Sequence, residues 1–239
     1  MDENNPRIIS HCKDGGYAAV FENGYITIMK GTWKIRVIKV IDVPVTYGGK
    51  AVHNIMNCLP AVLSTYFWRN IEIEDIRLAL QTFIPSSTQT PGRLNLFQFK
   101  QFQFLVDFAH NPAGLELLCD FVSKLDGEPK VGIISGTGDR RNEDIKELGK
   151  ISGRYFDEII IRQDKNLRGR TAEEIVNLLV EGIKETQPKE IPIKIIYNEK
   201  EAIMHAYNNA KPGSLITIMC DVVAEALDLI KGLKEKEDA

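Results

Sequence analysis

The stretch of residues 101–124, QFQFLVDFAHNPAGLELLCDFVSK, decides the predicted fold of this chain. Residues 102–106 form a short, mainly apolar run of the kind that makes a buried β-strand. A helix is predicted near residues 114–124, and the polar segment 107–112 separates the two. A strand that leads directly into a helix is the unit of a parallel sheet, because the next parallel strand can be reached only by a crossover.

The same alternation of strand and helix recurs through the C-terminal part of the chain. Further strands are predicted at residues 94–99, 130–135, 158–161, 193–196 and 215–219, and further helices at 143–154, 172–186, 199–209 and 222–236. Near-continuous apolar strands between amphipathic helices are typical of a parallel sheet that is covered on both faces. The sequence therefore predicts a doubly wound α/β domain with a mostly parallel sheet over residues 89–239.

Residues 1–88 follow a different pattern and predict a smaller unit. Asn23-Gly24 lies between two β-like runs, which is the strongest short-range signal for a hairpin. Pro60 is expected to kink or delay the first helix. The predicted strands and helices cover residues 18–21, 25–29 and 34–41, and residues 54–68 and 72–83, respectively. The turn-forming run PSSTQTPG at residues 85–92 predicts a linker between the two parts.

Composition and charge exclude several classes of protein. The 30 Lys and Arg residues against 33 Asp and Glu give a net charge of −3, so the overall charge supplies no general attraction to nucleic acid or anionic membranes. No run approaches the ~20 apolar residues of a membrane span. Four scattered cysteines without a Cys-x-x-Cys pair indicate neither a metal site nor disulfides. We expect a cytoplasmic protein with reduced thiols that binds neither nucleic acid nor membrane.

Candidate binding residues follow a strand at residues 107–112, DFAHNP. Ligands of open parallel sheets bind beyond the carboxyl ends of the strands. Asp107 there could accept hydrogen bonds from ribose hydroxyls, while His110 and Asn111 could face a phosphate or a carboxylate. The alternative is that Asn111 and Pro112 start a helix and that His110 is an ordinary loop residue.

A second motif, residues 136–144 (GTGDRRNED), follows the strand at 130–135. Glycines let main-chain N–H groups approach an anion, and paired arginines bind carboxylates or phosphates. Asp139, Arg140 and Arg141 are therefore candidates for substrate binding, with a Gly-Asp turn and solvated arginines as the alternative. The motif is not the dinucleotide fingerprint, because Arg141 takes its third glycine position. A third polar loop, residues 162–170, has a solvated surface as its alternative.

Two further features lie outside these strand ends. Asn54 and Asn57 are spaced to share one helical face, and an amide can satisfy adjacent donor and acceptor groups of adenine, although Asn pairs more often cap helices. Arg93 stands at the exit of the linker, where it could reach a nucleotide held between two domains or remain solvated.

In this order and spacing, the motifs resemble the Mur ligase superfamily and, within it, the cyanophycin synthetase family. The segments that carry the resemblance are residues 49–57 (GKAVHNIMN), 91–93 (PGR), 107–115 (DFAHNPAGL), 136–145 (GTGDRRNEDI) and 157–162 (DEIIIR). It extends over nearly the whole chain and is strongest from residue 44 onward. It implies a Mur ligase C-terminal, Rossmann-like domain at 89–239, preceded at 1–88 by the partial end of a Mur ligase central domain.

The resemblance implies an ATP-dependent amide ligase with ATP and Mg²⁺ as cofactors. In this family the terminal phosphate of ATP activates a carboxylate as an acyl phosphate, which an amine then attacks. Cyanophycin synthetases join arginine in this way to the side-chain carboxyl of poly-aspartate. By family position the contacts would be Asn54 and Asn57 with adenine, Arg93 with ribose or phosphates, Asp107 with ribose hydroxyls, His110 and Asn111 with the cleft, and Asp139, Arg140 and Arg141 with the incoming amino acid. The resemblance assigns no metal ligand to any residue of this sequence.

The sequence also departs from the family. No Gly-x-x-x-x-Gly-Lys-Ser/Thr loop occurs in its 239 residues, and Pro60 stands where members usually carry Ala. We therefore expect a piece of a ligase that is inactive alone, with the rest of the ligase as its partner and self-association through exposed apolar surface as a further option. The alternative is a non-catalytic module that binds nucleotide and amino acid. A dehydrogenase is disfavoured, because the glycine fingerprint is missing.

Overall fold

The computed structural model describes residues 3–186 and 190–238. The chain divides into two compact units, Met1–Pro85 and Ser86–Ala239, and the division falls inside the predicted linker. The elements are α1 Pro6–Lys13, β1 Ala18–Glu22, β2 Tyr25–Lys30, β3 Trp33–Lys39, α2 Val52–Tyr66, α3 Ile73–Thr82, β4 Asn95–Gln98, β5 Gln103–Asp107, α4 Pro112–Ser123, β6 Lys130–Ile134, α5 Asn142–Tyr155, β7 Glu158–Ile161, α6 Ala172–Thr186, β8 Ile193–Ile195, α7 Glu199–Asn208, β9 Leu215–Met219 and α8 Val223–Asp238.

The first unit is built on a three-stranded antiparallel sheet in the order β1-β2-β3. The predicted hairpin is confirmed: Glu22 pairs with Tyr25, and Asn23 and Gly24 between them have φ of 49° and 81°. Positive φ at both turn residues matches the right-handed twist of the strands that they join. Apolar residues of β2, β3, α2 and α3 form one core cluster.

The predicted delay of the first long helix at Pro60 is wrong. α2 begins at Val52 and continues through Pro60 to Tyr66. A proline inside a helix leaves the carbonyl four residues earlier without its partner. That residue is Met56, which is 48% exposed, and Pro60 itself lies on the exposed face. Solvent can therefore satisfy the carbonyl, so the helix continues.

The second unit contains a six-stranded sheet in the order β4-β5-β9-β6-β7-β8. β4 pairs antiparallel with β5, and the other neighbouring strands are parallel. This confirms the predicted α/β fold with a mostly parallel sheet. Apolar residues of α7 and α8 pack with those of β5, β6, β7 and β9 in one core cluster. Among the described residues, no helix has the length and apolar character needed to cross a bilayer.

Candidate functional site

Four loops of the second unit meet at the carboxyl edge of its sheet. They begin after Asp107, Ile134, Ile161 and Met219, which end β5, β6, β7 and β9. Because these strands are parallel neighbours, their last residues lie side by side. The hydrogen bond from Cys220 N to Asp107 O, at 2.9 Å, ties two of these ends together. The edge therefore gathers most of the candidate residues of this unit.

Asp107 is buried and anchors the segment that carries Arg93. Its side chain is 8% exposed, and Oδ2 accepts a hydrogen bond from the main-chain N of Leu94 at 2.9 Å. Burial raises the pKa of Asp107, while main-chain donors and the charge of Arg93 act in the opposite direction. Gly92 and Leu94 have positive φ, and Gly92 N donates to Asn95 Oδ1 at 2.7 Å. The described contact of Asp107 is thus with the protein's own main chain.

Arg93, Phe108 and His110 lie in a row beside Asp107. The Arg93 guanidinium is 5.9 Å from the centre of the Phe108 ring, and the rings of Phe108 and His110 are 4.9 Å apart. Nδ1 of His110 lies 3.0 Å from the carbonyl oxygen of Phe108. A hydrogen bond to a carbonyl requires Nδ1 to be the donor, which leaves Nε2 as the acceptor in a neutral imidazole. The row offers a cation and a base at the sheet edge.

Asn111 is the N-cap of α4. Its Oδ1 accepts a hydrogen bond from Gly114 N at 2.8 Å, and Pro112 occupies the first helical position. This is the arrangement that helix starts favour. Asn111 therefore caps α4, which was the alternative that the sequence left open. A contact of Asn111 with a ligand stays a prediction.

The glycines of the loop after β6 have a packing reason. A Cβ on Gly138 would lie 2.0 Å from the carbonyl oxygen of Leu167, and one on Gly136 would lie 2.8 Å from the Ile175 side chain. Contacts shorter than about 3 Å do not occur at real Cβ atoms. The sequence interpretation attributed these glycines to the approach of an anion. In the structure they allow close contact with the loop after β7 and with α6.

The three candidate substrate-binding residues on this loop, Asp139, Arg140 and Arg141, differ in their hydrogen-bond partners. Arg141 donates from Nε and Nη2 to Asp144, at 3.0 and 2.9 Å. Asp139 forms an ion pair with Arg168, which lowers the pKa of Asp139. The Nε of Arg140 is buried and has no hydrogen-bond partner within the described residues, although the side chain is 40% exposed. Of the two arginines, Arg140 is therefore the one without a described side-chain hydrogen bond, whereas Arg141, whose side chain is 77% exposed, bonds Asp144 with two of its donors.

Arg162 is the main feature of the site that sequence reasoning missed. The alternative interpretation of loop 162–170 was that its charged residues are solvated. Arg162, however, is only 1% exposed. Its guanidinium donates to the carbonyl of Met219 and to Asp164 Oδ1 at 2.6 Å, and Nε lies 3.1 Å from Glu199 Oε2. One signal was available: Arg162 directly follows three buried isoleucines, where a solvated residue is unexpected.

Beside Arg162 lies a cleft of about 820 Å³ at the ends of β7, β8 and β9. Its lining is rich in carboxylates, namely Asp164, Glu199, Asp221, Glu225 and Asp228, with Lys165 and Lys200 among them. Burial raises the pKa of Glu199, and the charge of Arg162 opposes this rise. The buried guanidinium thus offsets part of the negative charge.

Asn54 and Asn57 belong to α2 in the first unit. Nδ2 of Asn54 donates to the carbonyl of Val45 at 2.8 Å, which holds the segment before the helix. Asn57 is exposed. Their contact with adenine stays a prediction.

Comparison with known proteins assigns the chain to a family. Residues 92–221, more than half of the chain, match the family model "Mur ligase, glutamate ligase domain". The chain belongs to the Mur ligase family. Among curated relatives, this Mur ligase family member is 41% identical to the cyanophycin synthetase of Crocosphaera subtropica over 96% of its length. It is 39% identical to that of Synechocystis sp. over 98% of its length. It spans about a quarter, 26%, of either relative.

Solved structures share the fold of this chain. E. coli FolC in complex with ADP matches 92% of this Mur ligase family chain with a TM-score of 0.63 and 17% identity, over 47% of the FolC chain. Mycobacterium tuberculosis folylpolyglutamate synthase, complexed with ADP and AMPPCP, matches 90% with a TM-score of 0.62 and 19% identity, over 48% of that chain. At these identities the likeness establishes the architecture.

Proposed function

We propose that this chain is part of an ATP-dependent ligase that joins arginine to the side-chain carboxyl of a poly-aspartate backbone. The observation that carries the proposal is its 39–41% identity to cyanophycin synthetases over 96–99% of its length. The matched length covers 96–99% of the chain, and so it spans the sheet edge. The partners are ATP, arginine and the poly-aspartate product, cyanophycin.

The second unit holds the incoming amino acid in this proposal. The α-carboxylate of arginine binds the guanidinium of Arg140, because carboxylate and guanidinium match in geometry and charge. Asp139 and Arg141 shape the same loop through Arg168 and Asp144. The amine attacks the activated carboxyl carbon, the C–N bond forms, the bond to the phosphate oxygen breaks, and the amine loses a proton. His110 Nε2 is the acceptor that we assign to that proton, and we assign the adjacent Asn111 to the same site.

For the nucleotide, we assign Asn54 and Asn57 to adenine, Arg93 to ribose or phosphate and Asp107 to the ribose hydroxyls. ATP, when bound, supplies the phosphoryl group that activates the acceptor carboxylate. Arg93 fits this role, because it is exposed and cationic. Asp107 fits less openly, since its carboxylate is already bonded to Leu94 N. Within residues 3–186 and 190–238, no group of three or more His, Cys, Asp or Glu is placed to hold a metal ion, so we assign no Mg²⁺ ligand here.

The chain alone is inactive in this proposal, since no phosphate-binding loop occurs in its sequence. The rest of the ligase supplies that loop. The first unit has exposed apolar side chains suited to such a partner or to self-association, namely Trp33, Ile41, Met56, Phe67, Trp68, Leu78, Phe83 and Ile84. Surfaces of this kind commonly mark interaction sites.

Two assays test the proposal on the chain itself. ATP-dependent incorporation of arginine into poly-aspartate should be absent, and turnover without added protein would contradict the inactivity. Calorimetry should detect binding of arginine to the chain, and it should detect at most weak binding of ATP or ADP. Tight nucleotide binding that is lost in Asp107→Ala but kept in the control Asp120→Ala, on the solvent side of α4, would instead favour a nucleotide-binding module.

A further inference from the structure

A second arginine, Arg170 on the loop after β7, holds the segment that carries Arg140. Its Nε donates to the carbonyl of Gly138 at 2.8 Å, and its Nη2 donates to the carbonyl of Arg140 at 2.8 Å. Its Nη1 donates to Asn142 Oδ1 at 2.6 Å. The three acceptors belong to residues 138, 140 and 142, so one planar guanidinium holds the loop on both sides of Arg140 and at Arg140 itself.

The loop after β7 is shaped to deliver this side chain. Arg168 and Gly169 both have positive φ, 50° and 89°, and Arg170 N closes the turn by donating to Leu167 O at 3.1 Å. Leu167 O is the atom that would lie 2.0 Å from a Cβ on Gly138. The two loops are therefore in direct main-chain contact, and Arg170 reaches across that contact.

Arg140 depends on this support because its own side chain has little else to orient it. Its Nε makes no hydrogen bond within the described residues, and that atom lies 4.0 Å from Asp139 Oδ1. The described hydrogen bonds of Arg140 are made by its main chain: N donates to Thr137 O at 3.1 Å, and O accepts from Arg170. A shift of the main chain at this position would therefore move the Arg140 side chain with it.

We propose that Arg170 is the positioning residue for recognition of the amino-acid carboxylate and that it acts through Arg140. The proposal rests on the proposed function, in which Arg140 binds the α-carboxylate of the incoming amino acid. Lysine would not replace Arg170, because an ammonium is a point charge and cannot reproduce a three-acceptor fork.

The test compares L-arginine with argininamide, which lacks the carboxylate, in NMR titrations of the full chain. We expect the protein to prefer arginine. Arg170→Ala should weaken arginine binding about tenfold, equal to about 1.4 kcal/mol, and leave argininamide binding unchanged. Arg170→Lys should behave like Arg170→Ala. The matched control is Arg154→Ala, which removes an α5 arginine bound to Glu116 at 2.6 Å and should change neither affinity.

A purely structural role for Arg170 would weaken both ligands together, and that result would overturn the proposal. If Arg170→Ala does not fold, as judged by circular dichroism, Arg170→Gln keeps one donor nitrogen in place of three and gives the same comparison. Arg140→Ala separates the two levels of the argument. If it abolishes the preference for arginine while the Arg170 variants keep it, only the positioning role fails. If the unaltered chain shows no preference, or Arg140→Ala retains it, the amino-acid site of the proposed function fails as well.

Discussion

Replacement of Arg162 by methionine should be among the most damaging single changes in the second unit. Methionine keeps the aliphatic bulk but removes the guanidinium that is bonded to Met219 O, Asp164 and Gln163 O. The side chains of Asp164 and Glu199, 12% and 15% exposed, would then lose the positive charge that each of them contacts. The carbonyl of Met219 would lose both donors.

The expected cost follows from these contacts. Removal of one partner from a buried ion pair costs about 3–5 kcal/mol, because the remaining charge is left uncompensated. The lost donors at Met219 O overlap with this value and are not added in full. We therefore expect the free energy of unfolding to fall by about 4 kcal/mol at neutral pH. That loss is a large part of the total stability of a typical domain.

The loss should also depend on pH. Burial already raises the pKa of Glu199, and Arg162 opposes the rise, so the variant should raise that pKa further. A carboxyl whose pKa is higher in the folded state binds more protons when folded than when unfolded. Stability then falls as pH rises through the window above the ordinary value of 4.5. The deficit of Arg162→Met should accordingly be larger near pH 8 than near pH 5.

Urea unfolding followed by far-UV circular dichroism measures both effects. Arg154→Met is the control, since that side chain is 45% exposed and its loss should change stability by less than about 1 kcal/mol. The double variant Arg162→Met/Glu199→Gln should recover part of the loss, because one uncompensated charge is removed. A deficit that is the same at both pH values, or below about 1 kcal/mol, would refute the interpretation of Arg162 as a buried counter-charge.

Two further changes test other parts of the site. Gly138→Ala should destabilise the protein by about 1–3 kcal/mol or more, because the new Cβ would meet the main chain at Leu167. Its control, Gly232→Ala, lies in open space on α8 and should stabilise the protein by about 0.5–1 kcal/mol. Equal effects of the two variants in urea unfolding would contradict the close packing of Gly138. Asn111→Ala should cost about 1 kcal/mol through the lost cap, whereas Asn111→Asp should keep the thermal midpoint, and an unchanged midpoint in Asn111→Ala would show that the cap contributes nothing.

The parts of the fold that depend on local sequence were predictable. Asn23-Gly24 specifies its hairpin because the turn itself demands positive φ, and the apolar run that became β9 needed no distant information. The start of α2 could not be predicted from Pro60, because the effect of a proline depends on whether solvent reaches the freed carbonyl. That is a property of the packed helix and not of its sequence.

The site was predictable in position but not in its internal contacts. Because ligands of parallel sheets bind at the carboxyl edge, the sequence predicted that Asp107, His110 and Arg140 lie at one edge of the sheet. The burial of Arg162 depends on Met219, Asp164 and Glu199, and two of these come from other strand ends. The role of Arg170 likewise depends on the contact between Gly138 and Leu167, which residue spacing does not reveal.

The central claim, that this chain is the arginine-adding part of a ligase, is tested most directly in a chimera. The matching segment of the Crocosphaera subtropica cyanophycin synthetase is replaced by this chain, and ATP-dependent incorporation of arginine into poly-aspartate is measured. We predict incorporation by the chimera and its loss in the chimera carrying Arg140→Ala. A folded chimera that binds ATP but incorporates no arginine would contradict the account.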